Sequence, residues 1–392
     1  MVAQARQVAD EVFRPISRKY DREEHARPKE LDMLAAVIDG MNDGSDLGGA
    51  GAAGVRRSSN GDGPDGNRNG SNLSTALSVM ELCRGDVGLL LSVPRQGLGN
   101  SAIASVADDE QLERFAGQWA AMAITEPEAG SDSASIRTTA VLDGEDYVLN
   151  GEKIYVTAGE RADLVVVWAT LDRTLGRAAI KSFVVERTNP GLKLDRLEHK
   201  LGIRASDTAA FTLQDCRVPK ENLLGPPGIE VTNGFAGAMQ TFDNTRPLVA
   251  AMAVGLTRAC LEETRRLLAG AGVAPDWDAP AATQTAAAAE LLAMDADYEA
   301  AYLLTLQAAW LADNGRPNSL QASMAKAKAG RTCVDVALRC VALAGTLGYS
   351  EGLLLEKWAR DAKILDIFEG TQQIQLLIVA RQLLGLTSAQ LR

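Results

Sequence analysis

The chain has 392 residues, of which 46% are hydrophobic and 23% charged, so it has enough apolar side chains to bury a large core. This composition excludes a disordered or fibrous protein, and the length is typical of about two or three domains. Its 40 Lys plus Arg and 51 Asp plus Glu leave a net charge of -11, with no basic stripe along the chain. Nucleic acid is therefore not an expected partner, because the net charge repels a phosphate backbone.

The termini and cysteines indicate the compartment. Residues 1–30 are charged throughout and lack the apolar core of a signal peptide, and no later stretch approaches the ~18 apolar residues of a membrane span. We therefore expect a cytosolic protein without a membrane span. The five cysteines are widely spaced, with no CxxC pair and no nearby histidine, which predicts reduced thiols in the core and no metal site.

The first third of the chain has a helical pattern. Residues 4–39 are predicted to form a helix, because apolar residues recur every three or four positions with charged residues between them. The segment 42–72 is rich in Gly, Asn, Asp and Ser and is predicted to be a mobile loop, since it has little apolar surface to bury. A second helical stretch at 73–115, with a glycine break, completes an N-terminal helical domain at 1–120.

The pattern then changes to strands and back to helices. After residue 120, short segments rich in β-branched and aromatic residues alternate with Asn-Gly and Asn-Pro-Gly turns, which predicts a β domain at 121–233. Long Ala/Leu-rich stretches follow at 236–269, 281–313, 318–347 and 352–386. Helices of this length can pack as an antiparallel four-helix bundle, which we place at 234–392. The predicted fold class is therefore α+β, with three domains.

Two polar segments of the β domain are candidates for a binding site. The first, ITEPEAGSD at 124–132, forms a tight loop whose backbone N–H groups and hydroxyls could donate to a polar ligand. The second, NGEKIYVTA at 150–158, places Tyr155 and Thr157 on one face of a strand. Taken alone, the first is more often an ordinary turn, and the second is more often a hairpin strand with one buried aromatic.

The last helical stretch contains a candidate catalytic carboxylate. Glu369 precedes Gly370 within RDAKILDIFEGTQQIQ at 360–375, so it stands at an expected helix junction among apolar neighbours. Burial of a carboxylate raises its pKa and suits it to act as a general base. The spacing alone leaves a solvated glutamate at a helix end as the alternative.

These motifs occur together with KLGIRASDTAAFTLQDCRVPKENLLG and FDNTRP, in the order and at nearly the separations typical of one family. Over about residues 5–386 the chain resembles the acyl-CoA dehydrogenases. The resemblance implies an FAD enzyme that oxidises an acyl-CoA thioester to its trans-2-enoyl form and passes electrons to an electron-transfer flavoprotein. It implies that Glu369 removes the α-proton while the β-carbon delivers a hydride to the flavin, and that the Glu369 N–H polarises the thioester carbonyl.

The resemblance also assigns the binding residues. Some relatives place the base near the FDxxRP motif, where this chain has Thr245, which favours Glu369. Asp243 and Arg246 are expected to meet the CoA portion, with an ion pair at a helix start as the alternative. Most relatives have Trp at the position of Tyr155, and the tyrosine ring can still stack on the flavin. The residues expected at FAD are Ile124, Thr125, Gly130, Ser131, Tyr155, Thr157, Thr371 and Gln373, and Ser131 is also expected to reach the substrate.

Three departures from the family pattern concern assembly. Many relatives carry Arg-x-x-Phe-Gly after the first bundle helix, which reaches the FAD of a neighbouring subunit, whereas residues 271–275 here read AGVAP. The usual Gly-Gly-x-Gly appears as AGTLG at 344–348, and the 42–72 segment differs as well. We therefore predict an oligomer, with a heterotetramer containing a paralogous subunit as the leading form. His25 and His199 match nothing catalytic in the family and are interpreted as surface residues.

Two other functions remain as hypotheses. A non-catalytic scaffold subunit of such a heteromer is disfavoured by the presence of Glu369 together with TEPEAGSD. An acyl-CoA oxidase that passes electrons to O₂ is disfavoured by length, because those chains usually carry an additional C-terminal domain.

Overall fold

The structure is a computed structural model that describes residues 1–35, 69–94, 98–229, 236–387 and 390, with only the backbone described at 236–244. Residues 42–68 of the predicted loop lie outside the described residues. The next helix begins at Ser71, inside the range predicted as loop. Within the described ranges, no helix combines the length and the apolar character that a bilayer crossing requires.

The N-terminal residues form two helical segments, 2–22 and 30–35, rather than one. Helix α1 (Val2–Val8) continues through a π-helical turn into α2 (Arg14–Arg22), and a further helical stretch covers 30–35. The prediction of one helix over 4–39 is therefore wrong. The interruption has a local cause, because His25 has a φ of 70° and Pro28 disfavours a helical conformation at the residue before it.

The second helical stretch is divided into four helices: α3 (Ser71–Gly85), α4 (Val87–Leu90), α5 (Leu98–Val106) and α6 (Asp109–Arg114). Aspartates mark two of the breaks. The Asp86 carboxylate accepts a hydrogen bond from the Leu89 N–H at 2.9 Å, and Asp108 forms a capping box with Gln111. These side chains satisfy the first N–H groups of a new helix and so favour a restart over a continuous helix.

In the described part of the chain, eight strands form one mixed sheet in the order β6-β7-β3-β2-β4-β5-β8, with β1 parallel to β4 and beside it. Strands β2 and β4 pair at Thr139 and Thr170. The strands are β1 (Ala120–Ala123), β2 (Thr139–Asp143), β3 (Asp146–Thr157), β4 (Leu164–Thr170), β5 (Ile180–Glu186), β6 (Leu192–Leu197), β7 (Thr208–Pro219) and β8 (Leu223–Leu224).

Strand β4 is buried on both faces. Val165 and Val167 belong to one hydrophobic core, whereas Val166 and Trp168 belong to a second core that includes residues of α5. Successive side chains of a strand point to opposite faces, so an unbroken apolar run such as LVVVWAT is what a doubly covered strand requires.

The C-terminal region is helical, with α7 (Ala236–Gly270), α8 (Ala286–Asp313), α9 (Ser319–Ala344), α10 (Thr346–Tyr349), α11 (Leu355–Leu365) and α12 (Gln372–Leu384). The long stretch predicted at 352–386 is two helices, and the break between them carries Glu369. Helices before the sheet, a mixed sheet and helices after it confirm the predicted α+β fold class.

A buried charge cluster connects the three parts of the molecule. Lys357 of α11 forms ion pairs with Asp86, before α4, and with Asp361, the latter at 2.7 Å, and all three side chains are buried. The Asp361 carboxylate also accepts from the Ile203 N–H of the β domain at 2.6 Å. Because removing one partner would leave a buried charge uncompensated, this cluster specifies how the parts pack.

All five cysteines are buried and free, which confirms the prediction of reduced core thiols. Burial raises the pKa of the Cys333 thiol to about 12, so its reactive thiolate is disfavoured.

Candidate active site

The loop between α11 and α12 places Glu369 on an unusual backbone. Glu369 and Gly370 both have left-handed conformations, with φ of 56° and 90°. For glutamate this conformation costs roughly 1–2 kcal/mol. Strained backbone of this kind persists only where the surroundings hold it, and it is found preferentially at functional sites.

Two buried side chains donate hydrogen bonds to backbone carbonyls of this loop. The Lys326 ammonium of α9 donates to the Gly370 carbonyl at 2.6 Å, and the Gln375 amide donates to the carbonyls of Glu369 and Gly370, each at 3.2 Å. Both side chains are completely buried. Gly330 lets α9 approach α11, because a Cβ there would lie 2.6 Å from the Leu365 carbonyl oxygen. The loop conformation is therefore held by both α9 and the first turn of α12.

The Glu369 carboxylate is directed toward α7. The Thr245 hydroxyl donates to Glu369 Oε2 at 2.8 Å. Burial raises the pKa of Glu369, and the Thr245 hydrogen bond and the positive charges of Lys326 and Arg246 act in the opposite direction without cancelling it. A carboxylate with a raised pKa is a stronger base that can still be ionised at neutral pH.

Burial also affects the lysine under the loop. It lowers the pKa of Lys326 to about 8, although the carboxylates of Asp366 and Glu369 favour the ammonium form. At neutral pH Lys326 is therefore mostly protonated, and its ammonium group donates the hydrogen bond to the loop.

The two β-domain motifs form one unit around a buried ion pair. Lys153 donates to the Glu126 carboxylate at 2.7 Å and to the Ile124 carbonyl at 3.2 Å, and neither charged side chain reaches solvent appreciably. Glu126 accepts further hydrogen bonds from the N–H and hydroxyl of Thr138, at 3.0 and 2.6 Å. The Ile154 N–H donates to the Thr125 carbonyl at 2.9 Å. Glu126 is thus the structural centre of its motif.

Tyr155 is displayed at an irregularity of β3. The pairing of β3 with β7 shifts register between Lys153 and Val156, and Tyr155 has a φ of 58° with 63% of its surface exposed. A bulge can re-aim a side chain in this way. Thr157, two residues further along β3, is half-buried, as is Thr125 of the first motif. A Cβ added to Gly130 would meet no atom of the described residues within 4 Å.

The residues of these two motifs are chemically compatible with a flavin. They include the exposed ring of Tyr155, the hydroxyls of Thr125, Ser131 and Thr157, and open space at Gly130. Flavin rings combine an aromatic face with polar edges, so this donor set suits them.

The predicted site residues fall into two groups. Hydrogen bonds link Ile124 and Thr125 to the strand that carries Tyr155 and Thr157, and Glu369 lies beside Thr245, near the charge of the buried Arg246. Thr371 caps α12, its hydroxyl accepting from the Ile374 N–H at 3.4 Å. Gln373 is exposed on α12, as are Gly130 and Ser131 on their loop. The side chain of Asp243 lies outside the described part.

Sequence reasoning missed the residues that support the site. Lys153, Lys326 and Gln375 are completely buried polar side chains, and Glu126 is nearly so. For Lys153 a signal existed, since a lysine inside a strand with apolar alternation needs a buried partner. Lys326 and Gln375 stand among helix-forming residues that give no such signal.

Comparisons with known proteins identify the family of the chain. The family model "Acyl-CoA dehydrogenase, middle domain" matches residues 121–216, and "Acyl-CoA dehydrogenase, C-terminal domain" matches residues 232–384. The short-chain specific acyl-CoA dehydrogenase of Clostridium acetobutylicum is 35% identical over 323 residues, which cover 80% of this chain and 83% of that protein.

Solved structures are similar over nearly the whole chain. Butyryl-CoA dehydrogenase from Megasphaera elsdenii superposes with a TM-score of 0.83 at 30% identity, covering 98% of this chain and 97% of that one. A structure described as the electron transferring flavoprotein of Acidaminococcus fermentans gives a TM-score of 0.82 at 30% identity, with 98% and 96% covered. The motifs, the fold and these relatives together show that the chain belongs to the acyl-CoA dehydrogenase family and is an oxidoreductase.

Proposed function

We propose that the protein catalyses the FAD-dependent α,β-dehydrogenation of an acyl-CoA thioester to a trans-2-enoyl-CoA, with Glu369 as the catalytic base. The observation that carries this proposal is the Glu369 carboxylate itself. It has a raised pKa, a side-chain hydrogen-bond donor in Thr245 and a strained backbone held by buried groups. A structural glutamate at a helix end requires none of these features.

The residues of the chain divide the work of this reaction. Glu369 accepts the α-proton. Hydrogen bonds from Lys326 and Gln375 to the backbone of its loop restrict the position of the carboxylate. Its backbone N–H is proposed to donate to the thioester carbonyl and so to stabilise developing negative charge. When bound, FAD supplies the two-electron acceptor that no amino-acid side chain provides.

Ligand contacts follow the two groups of the site. We assign the flavin to Ile124, Thr125, Gly130, Ser131, Tyr155, Thr157, Thr371 and Gln373, and the CoA portion to Asp243 and Arg246, with Ser131 reaching both. The electron acceptor we assign is an electron-transfer flavoprotein. The similarity to the Acidaminococcus fermentans structure, which is described by that name, supports this class of partner. A cytosolic location belongs to the same proposal.

An anaerobic titration tests the reaction. The purified chain, loaded with FAD, is mixed with acyl-CoA thioesters of increasing length and branching, starting with butyryl-CoA because the relatives include a short-chain specific enzyme. Loss of the oxidised flavin absorbance together with an enoyl-CoA product supports the proposal. A flavin that no acyl-CoA reduces, with or without a partner subunit, refutes it. Peroxide release in air would identify an oxidase instead.

The subunit arrangement is a second part of the proposal. Helix α12 leaves Leu376, Leu377, Leu383 and Leu384 about half to two-thirds exposed, and Tyr349 of α10 is 82% exposed. Apolar surface on this scale favours a protein partner. Residues 271–275 contain neither the cation nor the aromatic side chain that relatives lend to a neighbouring FAD. We therefore propose a heterotetramer in which a paralogous subunit completes the FAD site of this chain.

A further inference from the structure

The two histidines of this chain come together although they lie far apart in the sequence. His25 follows α2 in the N-terminal region, and His199 follows β6 in the β domain. Their ring centroids are 5.1 Å apart, and Glu24 Oε2 lies 2.9 Å from His199 Nδ1. Each of the three side chains offers one ligand atom, and these atoms all lie within 4.8 Å of one another.

His25 has an unsatisfied ring. Both of its ring nitrogens are buried, and among the described residues neither has a hydrogen-bond partner. Its backbone is left-handed, with a φ of 70°, and its carbonyl accepts a hydrogen bond from Arg161 at 3.3 Å. Buried polar atoms without partners are uncommon and call for a missing partner. The interpretation of both histidines as surface residues is correct for His199, whose side chain is 84% exposed, whereas His25 is half-buried with its ring nitrogens inside.

We propose that Glu24, His25 and His199 bind a divalent transition-metal ion, with zinc the expected metal, and that this ion ties the N-terminal helices to the β domain. Two imidazoles and one carboxylate are an established zinc donor set, completed by water at an open fourth position. The exposed side of His199 leaves room for that water. Zinc ligands stand about 3.3 Å from one another in a tetrahedron with bonds of roughly 2.0–2.1 Å, so small side-chain rotations close the site.

The carboxylate is already oriented for this role. Glu24 Oε1 accepts from the Lys200 N–H at 2.8 Å, which leaves Oε2 facing the histidines. A carboxylate oxygen and imidazole nitrogens are both established ligands of zinc.

Neighbouring charges set the expected strength. Lys200 and Arg204 lie close enough to influence the titration of Glu24 or His25, and both disfavour an additional cation. Asp207 acts in the opposite sense on His25, although Arg161 pairs with it at 3.2 Å. The three cations Lys200, Arg204 and Arg161 outnumber Asp207 around the cluster, so we expect saturable binding of one ion per chain with an affinity weakened by this positive charge.

Zinc binding to the full chain tests the proposal. The protein is prepared without a polyhistidine tag, stripped with a chelator and titrated with Zn²⁺ by calorimetry, and its Tm is measured with and without the metal. We expect one ion per chain, and a rise in Tm of a few degrees once zinc is in tenfold excess over its Kd. Three variants accompany the wild type: His199→Gln, His25→Asn, which keeps a residue tolerant of left-handed φ, and the control Glu30→Gln.

The outcomes separate a built site from general surface binding. His199→Gln changes an exposed side chain and is expected to fold, and both histidine variants should lose stoichiometric binding and the Tm shift. Glu30→Gln removes a nearby carboxylate that contacts Tyr20 and Lys19 but lies outside the cluster, so it should retain both. Wild-type protein that binds no zinc saturably, or stoichiometric binding that survives both histidine substitutions, would overturn the proposal.

Discussion

Replacing the base is the sharpest test of the active site. In Glu369→Gln the side chain keeps its size, and the amide oxygen can still accept the hydrogen bond that Thr245 now donates at 2.8 Å. The Lys326 and Gln375 contacts involve only backbone carbonyls of the loop, so they persist. The substitution therefore removes proton acceptance and leaves the shape of the loop intact.

The expected loss follows from the role of the carboxylate. A positioned general base contributes about 10²–10⁴-fold, which corresponds to roughly 3–5 kcal/mol of activation free energy. We expect flavin reduction to slow by at least that factor. Stability should not fall, because burial opposes the charged form of Glu369 and the neutral amide avoids that penalty.

Anaerobic stopped-flow absorbance measures the rate of flavin reduction, and the flavin-to-protein ratio and Tm show that the variant is intact. Glu351→Gln is the control, because it removes an exposed carboxylate that pairs with Arg22 and lies outside the Glu369 loop. It should retain flavin reduction within about tenfold. A Glu369→Gln variant that reduces its flavin at nearly the wild-type rate would show that the base lies elsewhere.

The remaining predictions concern the neighbours of the base and the assembly. Adding Thr245→Glu to Glu369→Gln should restore part of the activity, since the two side chains meet at 2.8 Å, and a double variant as slow as the single one contradicts this geometry. Arg246→Gln should raise KM for acyl-CoA more than it lowers kcat, and an effect on kcat alone would move this residue to the chemistry. Lys326→Met removes a charge that lowers the pKa of the base, so the acid limb of the pH-rate profile should move to higher pH; an unchanged limb refutes the coupling. The chain alone should bind FAD substoichiometrically, with an affinity roughly 100-fold weaker than in the presence of its partner. Flavin content and native mass measure this, and a homotetramer with one tightly bound FAD per chain would exclude the heteromer.

The sequence by itself determined the fold class and the order of its helical and strand regions. Its change from helical to alternating periodicity after residue 120 predicted the sheet, and the Ala/Leu-rich stretches predicted the helical C-terminal region. These patterns are local, because each helix or strand has to present one apolar face wherever it packs. The Glu369-Gly370 pair likewise marked a helix junction, since a glycine after a helix tolerates left-handed φ. Errors arose at breaks such as Pro28 and Asp86, where one side chain outweighed a longer periodic pattern.

Only the tertiary structure decided which distant residues meet. Glu126 and Lys153 form a buried ion pair, Thr245 reaches Glu369, and Lys326 supports the loop that presents this base. No spacing rule connects positions in different helices and strands, because their distance depends on how those elements pack. The same holds for His25 and His199, which look unrelated along the chain and become neighbours because the N-terminal helices pack against the β domain.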